Sequence, residues 1–293
     1  MITYNHEPFI AQAIESALMQ ETDFDYEIVI GEDCSTDGTR EIVRQYAQKY
    51  PDTIRAMLQE KNTGGKQNFS KSLAACQGEY IALLEGDDYW TYPQKLQEQV
   101  KLLDVHSEYS MCFHNVYQES SNGRRVDRME RFLRSRGQIC KQRITLDDIV
   151  RGYAVPTNSA VVRREVFPLP AIVSRSAGSD RFIWTVAAQR GDLAYIDELW
   201  AVYRVHDGGV FSGISAIDKL QHLLKNDHLM NEMLEYKYDV QLRRRMADRH
   251  YQMAKLLLKD RQKRSAARHA WRCFRNHPLH PGLARLLVKM LLR

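Results

Sequence analysis

A short unbroken apolar run, Tyr80 to Leu84, ends abruptly in Glu85, Gly86, Asp87 and Asp88. Such a run reads as a strand buried on both faces, so three carboxylates stand at the carboxyl end of a central strand. In open α/β sheets that edge is where ligands bind. Carboxylates crowded there repel one another. A hard divalent cation such as Mg2+ or Mn2+, held through oxygen ligands and shared with substrate phosphates, relieves the repulsion. Asp88, with help from Asp87, is therefore the candidate metal site. A solvated acidic turn capping the helix that starts near Pro93 is the competing reading of the same residues.

Three further segments repeat the grammar of apolar strand, polar Gly/Asp/Asn turn and helix: Tyr26 to Thr39, Ile54 to Asn68, and the opening Met1 to Phe9. Gly64 and Gly65 leave the backbone close to whatever sits above it, and Lys66 stands near a helix start, where free N–H groups favour anions. A diphosphate contact and a plain glycine turn explain that stretch equally well. Neither G-x-G-x-x-G nor G-x-x-x-x-G-K-[ST] is present, which argues against a dinucleotide dehydrogenase and a P-loop NTPase. Further on, Arg204 reads as a phosphate partner, and His206 as a metal ligand, a proton donor or an ordinary surface histidine.

With these pieces in order, the chain resembles the inverting family 2 glycosyltransferases of the GT-A fold. The resemblance rests on Thr3-Tyr4-Asn5-His6, the run Gly31 to Thr39, Asn62-Thr63-Gly64-Gly65 with Asn68, Gly78 to Ile81, Glu85 to Asp88, and the closing Tyr203-Arg204-Val205-His206. It extends to roughly Gly213. It implies a GT-A-like α/β fold, a Rossmann-like mixed sheet flanked by helices, over residues 1–214. It also implies a nucleotide-sugar donor, most simply a UDP-sugar, a saccharide or lipid-linked acceptor, and inversion at the anomeric carbon. Asp33 then accepts a hydrogen bond from the base, and Thr3 and Tyr4 wall the same pocket. Asn5, Gly65, Lys66, Asn68, Asp87 and Arg204 join the donor site. Glu85 stands where the family more usually has Asp, and is expected beside the metal ligands or at the donor ribose. Asp180, just before an amphipathic helix, is the expected general base, although a Ser-Asp pair there also serves as a plain cap. The family has several apolar residues before Thr-Tyr-Asn, so the first strand is expected to be truncated here. A sugar-nucleotide-binding protein without turnover is the second reading.

Composition limits the rest. With 293 residues the chain can bury a large core and an appendage. No apolar run approaches the length of a membrane span and no signal-peptide pattern opens the chain, which points to the cytoplasm. Five widely spaced cysteines without a C-x-x-C pair read as reduced thiols rather than a disulfide frame or zinc site. Charge is uneven: Ser215 to Arg293 carries 18 Lys and Arg against 7 Asp and Glu. That tail, residues 215–293, is expected to be a basic α-helical extension. Its final amphipathic segment, Leu283 to Arg293, suits an anionic membrane surface at the inner face, or else packs as an ordinary solvated helix. Leucine stripes without exposed aromatics or a recognition motif argue against nucleic acid. The polar segment from Glu119 to Arg143 lacks a clear period and is expected to be a loop.

Overall fold

The computed structural model describes residues 1–136, 140–178, 180–206, 208–209 and 213–291. Ser179 of the Ser-Asp pair, Asp207 and the last two residues of the basic segment fall outside them.

The first half alternates strand and helix: β1 (Ile2–Thr3), α1 (Ile10–Leu18), β2 (Ile28–Glu32), α2 (Thr39–Lys49), β3 (Ile54–Leu58), α3 (Gly65–Ala75), β4 (Tyr80–Ala82), β5 (Tyr89–Trp90) and α4 (Lys95–Val105). Strands β1, β2 and β3 form a parallel sheet in that order. A parallel bridge from Ile2 to Glu85 ties its edge to the acidic turn. Downstream come β6 (Tyr109–Ser120), β7 (Arg125–Asp127), α5 (Arg128–Arg136), β8 (Arg143–Ile144), α6 (Leu146–Arg151), β9 (Val161–Arg163), α7 (Asp180–Arg190) and β10 (Asp192–Val205). The second sheet is mixed, ordered β4-β9-β6-β10-β5, with β7 added to β6 and β8 to β10. The expected mixed α/β architecture is therefore present.

Its core is built by the periodicities visible in the chain. Ile10, Ile14 and Ala17 form one buried stripe of α1, and Ile28 and Ile30 supply an inward side of β2; all pack with Val43, Leu103, Cys112 and Val161. Apolar spacing of four and three along a helix and of two along a strand puts these residues on single faces. Burying each isoleucine, leucine or valine of this set contributes about 1.5–3 kcal/mol, which holds the strand ends that carry the acidic turn in fixed register.

The segment expected to be a loop after Glu119 is instead a hairpin, β6 to β7, followed by α5. Among the described residues of α5 only Met129 and Leu133, one helical turn apart, are buried. Two buried apolar anchors among four arginines leave too weak a period to see, but they suffice to dock one short helix face. Strand β10 continues through the charged pair Asp197-Glu198, where its pairing with β6 shifts register between Ile196 and Leu199. Such an irregularity interrupts alternation without ending the strand.

The chain divides into two compact units. One comprises residues 1–149, 154–168 and 183–209; the other comprises 150–153, 169–182 and 210–293. The second contains α8 (Ala216–Met233), α9 (Asp239–Lys259), α10 (Lys263–Asn276) and α11 (Leu283–Leu291). Ser215 caps α8, accepting from the Asp218 N–H at 3.1 Å. Asp227, fully buried on α8, pairs with Arg245 at 2.6 Å and with Arg249, both on α9. Two guanidinium partners compensate a carboxylate that burial would otherwise penalise heavily. Ala247, Ala254, Leu257 and Leu258 of α9 pack with Ala266, Ala270 and Cys273 of α10 and with Leu283 and Leu286 of α11.

Candidate active site

The turn that follows β4 is held from below. Gly86 N donates to Ile2 O at 2.9 Å, and Asp88 N to Glu85 O at 3.2 Å. A Cβ on Gly86 would stand 2.7 Å from the Thr3 side chain and 3.0 Å from His6 Nδ1, so only glycine lets β1 and the acidic turn approach this closely. Asp88 is 1% exposed. Its Oδ1 accepts from Arg204 N at 2.8 Å, while its Oδ2 is buried without a hydrogen-bond partner. Burial, and next the neighbouring Asp87 charge, push the Asp88 carboxyl well above the ordinary range, against the pull of the Arg204 hydrogen bond and of Arg128 and Arg204.

Asp87 faces two imidazoles: His206 Nε2 lies 3.1 Å and His6 Nε2 3.8 Å from its Oδ2. Burial holds His6 below the usual histidine value despite the attraction of Asp87. Arg204 reaches across from β10, donating through Nη1 to Asp87 O at 2.7 Å and through Nη2 to Gln12 Oε1. Its guanidinium stands 4.4 Å from the Tyr89 ring and 5.1 Å from Phe9. Thus Asp87, Asp88, Arg204 and His206, separated by more than a hundred residues, converge with Glu85 and Thr3.

A second cluster forms at the end of β2. Asp33 N donates to Thr3 O at 3.1 Å, which places the two expected base-pocket residues side by side. The buried Asp33 carboxylate already accepts from Thr63 N, Thr63 Oγ1 and Gly64 N, each at 2.8 Å. A carboxylate offers about four lone-pair sites, so one remains for a base N–H. Tyr4 is exposed beside them. Asn5 is turned elsewhere: its Oδ1 accepts from Thr36 N at 2.8 Å, and its N–H donates to Ser35 Oγ at 3.0 Å. Glu7 continues the seam, accepting from Gly38 N at 2.9 Å. Asn68 is buried, donating to Gly31 O at 2.7 Å and so fastening α3 to β2. Gly65 and Lys66 are exposed at the start of α3. Asp180 is exposed at the start of α7 and belongs to the second unit.

Residue-by-residue reading missed His6, Phe9, Gln12 and Tyr89. His6 was the only one with a local signal, since it completes Thr3-Tyr4-Asn5-His6. Glu32 was missed as well: fully buried, it accepts from Ser35 N at 2.6 Å and lies 3.3 Å from Arg40, bracing the loop that carries Asp33.

The family model described as glycosyl transferase family 2 matches residues 1–167. The chain belongs to that family. An uncharacterized protein of Mycobacterium tuberculosis is 36% identical over 215 residues, 72% of this chain and 59% of that protein. This chain therefore spans about three-fifths of the length of that relative. The putative teichuronic acid biosynthesis glycosyltransferase TuaG of Bacillus subtilis is 28% identical over 214 residues, 72% of this chain and 79% of that one. Among solved structures, residues 1–349 of S. aureus TarS in complex with UDP-GlcNAc superpose with a TM-score of 0.64 at 18% identity, covering 99% of this chain and 86% of that one. The mannosyltransferase PcManGT of Pyrobaculum calidifontis, in complex with GDP-Man and Mn2+, gives 0.62 at 18% identity, covering 99% and 78%. The fold of this family 2 member is thus GT-A-like.

Among the described residues no three His, Cys, Asp or Glu side chains form a ready metal cluster. The donors nevertheless fit a hard dication shared with a diphosphate. Asp88 presents an unpartnered buried oxygen, and Asp87 adds a second carboxylate beside it. A cation held by one or two carboxylates and completed by phosphate oxygens needs no closed protein cage.

Proposed function

We propose that the chain transfers a sugar from a nucleotide donor, most simply a UDP-sugar, to a saccharide or lipid-linked acceptor with inversion, in the synthesis of a cell-surface polysaccharide. The buried Asp88 carboxylate, its Oδ2 unpartnered and Asp87 beside it, carries this reading. In the ligand-free fold it is an electrostatic cost, and a cation-diphosphate ligand removes that cost. The relatives add support: TuaG bears a glycosyltransferase name, and TarS and PcManGT hold nucleotide sugars.

In this proposal Asp33, Thr3 and Tyr4 receive the base, and Asp87 and Asp88 hold Mg2+ or Mn2+, with His206 orienting Asp87 or joining it as a ligand. The metal would neutralise charge developing on the leaving diphosphate. Arg204 fixes both aspartates through its backbone N–H and its guanidinium. Lys66 meets the diphosphate at the N-terminus of α3. Asp180 takes the proton from the acceptor hydroxyl as it attacks. Residues 1–214 would carry the transfer and 215–293 the helical extension, with the cytoplasmic membrane face as the place of work.

Calorimetric titration of UDP with Mn2+, with EDTA and with Asp88→Asn tests the donor site. We expect metal-dependent binding weakened at least tenfold by Asp88→Asn. Equal binding in all three would sink the metal-diphosphate reading. If binding holds but no UDP-sugar is consumed with or without acceptors, the chain binds sugar nucleotides without turnover.

A further inference from the structure

From Arg261 to Arg293 the chain carries nine Lys or Arg residues and no Asp or Glu. The same stretch displays apolar surface. Of nine large hydrophobic side chains exposed among the described residues, five fall between Trp271 and Val288. Helix α10 buries Ala266, Ala270 and Cys273 at helical spacing of four and three, which commits that stripe to the packing with α9. Trp271, 59% exposed, and Phe274 project from the other side, stacked with centroids 5.6 Å apart. By helical spacing Arg264, Arg268 and Arg275 flank them. Leu279, 87% exposed, follows in the connection to α11. Helix α11 in turn buries Leu283 and Leu286 and exposes Leu287 and Val288 beside Arg285 and Lys289.

We propose that the outward sides of α10 and α11 are a docking surface for an anionic lipid bilayer. The extension of the functional reading is to a partner, anionic phospholipid headgroups, and it rests on that reading only for the place of work. Aromatic rings and aliphatic side chains interleaved with arginine and lysine match the interfacial zone, where apolar groups enter the acyl boundary while cations stay among phosphates. The basic tail does expose aromatic rings, contrary to the expectation of leucine stripes alone, so a nucleic-acid surface would gain from the arginines and the rings but nothing from Leu279, Leu287 and Val288. A face meant only for water would not hold an exposed Trp–Phe stack.

The test is co-sedimentation of the full chain with vesicles of pure phosphatidylcholine and with vesicles containing one-third phosphatidylglycerol, at low and at high salt. The expected result is at least tenfold stronger binding to the anionic vesicles, lost in W271A/F274A and in R264E/R268E and reduced by salt. Helical circular dichroism and metal-dependent UDP binding of both variants should stay at the parent level, showing that the fold is intact. The proposal is overturned by absence of anionic vesicle binding, by binding indifferent to both variants, or by retention on duplex DNA without vesicle binding. A dimer that buries Trp271 from quenchers and does not sediment with vesicles would also overturn it, assigning the face to a second copy. Because UDP binding is read on the same samples, failure here leaves the donor-site reading standing, and failure of that reading leaves vesicle binding interpretable.

Discussion

Gly86 makes the acidic turn what it is, because the neighbouring strand leaves no room for a side chain. A methyl group in its place would meet the Thr3 side chain at 2.7 Å, at the residue that also receives Asp33 N. Gly86→Ala is expected to cost about 1–3 kcal/mol, the range for overpacking a tight site, and to weaken metal-dependent UDP binding because the shift displaces Asp87 and Asp88. Thermal melting and calorimetry on one preparation check both effects. An unchanged melting temperature would mean that the turn and β1 separate easily. Lys95 is a different kind of residue, fully buried with its Nζ donating to Gln99 Oε1 at 2.7 Å and standing 4.1 Å from the Trp90 ring. Burial pushes its amine from the ordinary 10.5 down to about 7. Between those values the unfolded chain binds the proton and the folded one does not. Stability therefore rises as pH increases from about 7 towards 10, and is flat below 7, where both forms are charged. Lys95→Met removes that slope. At pH 6 it gains the released burial penalty, a few kcal/mol at most, less about 1–3 kcal/mol for the Gln99 Oε1 left unpaired. Melting curves at pH 6, 7.5 and 9 decide: a parent-to-variant difference that does not change with pH would show a lysine titrating outside this window.

At the scale of elements, the loop Asn62 to Gly64 is held by one carboxylate. Asp33→Asn exchanges one acceptor oxygen for an NH2 group and removes the charge. The N–H groups of Thr63 and Gly64 should then exchange with solvent tenfold faster or more, with a stability loss of about 1–3 kcal/mol. Hydrogen-exchange mass spectrometry on peptides spanning 59–66 reads this directly, and unchanged protection would show that the loop is fixed without Asp33. The contrast between visible and hidden elements follows from how each is stabilised. Strand β2 was legible as a short apolar run buried throughout, and the helices behind it and in the tail because apolar residues recur at spacings set by burial on one face. The two-residue strand β5 was not, because pairing with β10 rather than any local pattern defines it. Helix α5 was hidden by its charge. In the site, the carboxylate cluster was legible from local sequence alone. Its meeting with Arg204 and His206 entered only through the family resemblance, since no local pattern encodes contacts across more than a hundred residues. Asn5 and Asn68 show the converse limit: a motif marks them, but hydrogen bonds to Thr36 and Gly31 commit their side chains to holding loops and helices together.

At the scale of the molecule, the helical unit carries a pH dependence of its own. His250 on α9 and His269 on α10 approach with Nδ1 atoms 3.1 Å apart, so one ring must donate and the other accept, and at least one is neutral. His250 is pushed down to about 4 by burial, then by His269, Arg272 and His228; burial, then Arg272 and Arg268, also lowers His269. The unfolded chain would protonate these imidazoles near 6.5, the folded one only in stronger acid. Stability is thus fully present above about pH 7, falls as the pH drops towards 4, and levels off below. Partial solvent access to the pair limits the loss to about 2 kcal/mol. It should appear as faster hydrogen exchange in peptides from α9 and α10 at pH 5 than at pH 7, after correction for intrinsic exchange, with a smaller change in β2 and β3. His250→Phe keeps the apolar contacts of the ring and cannot bind a proton, so it should flatten the response of α9 and α10 specifically. An acid response equal in the variant and the parent would place its origin outside this pair.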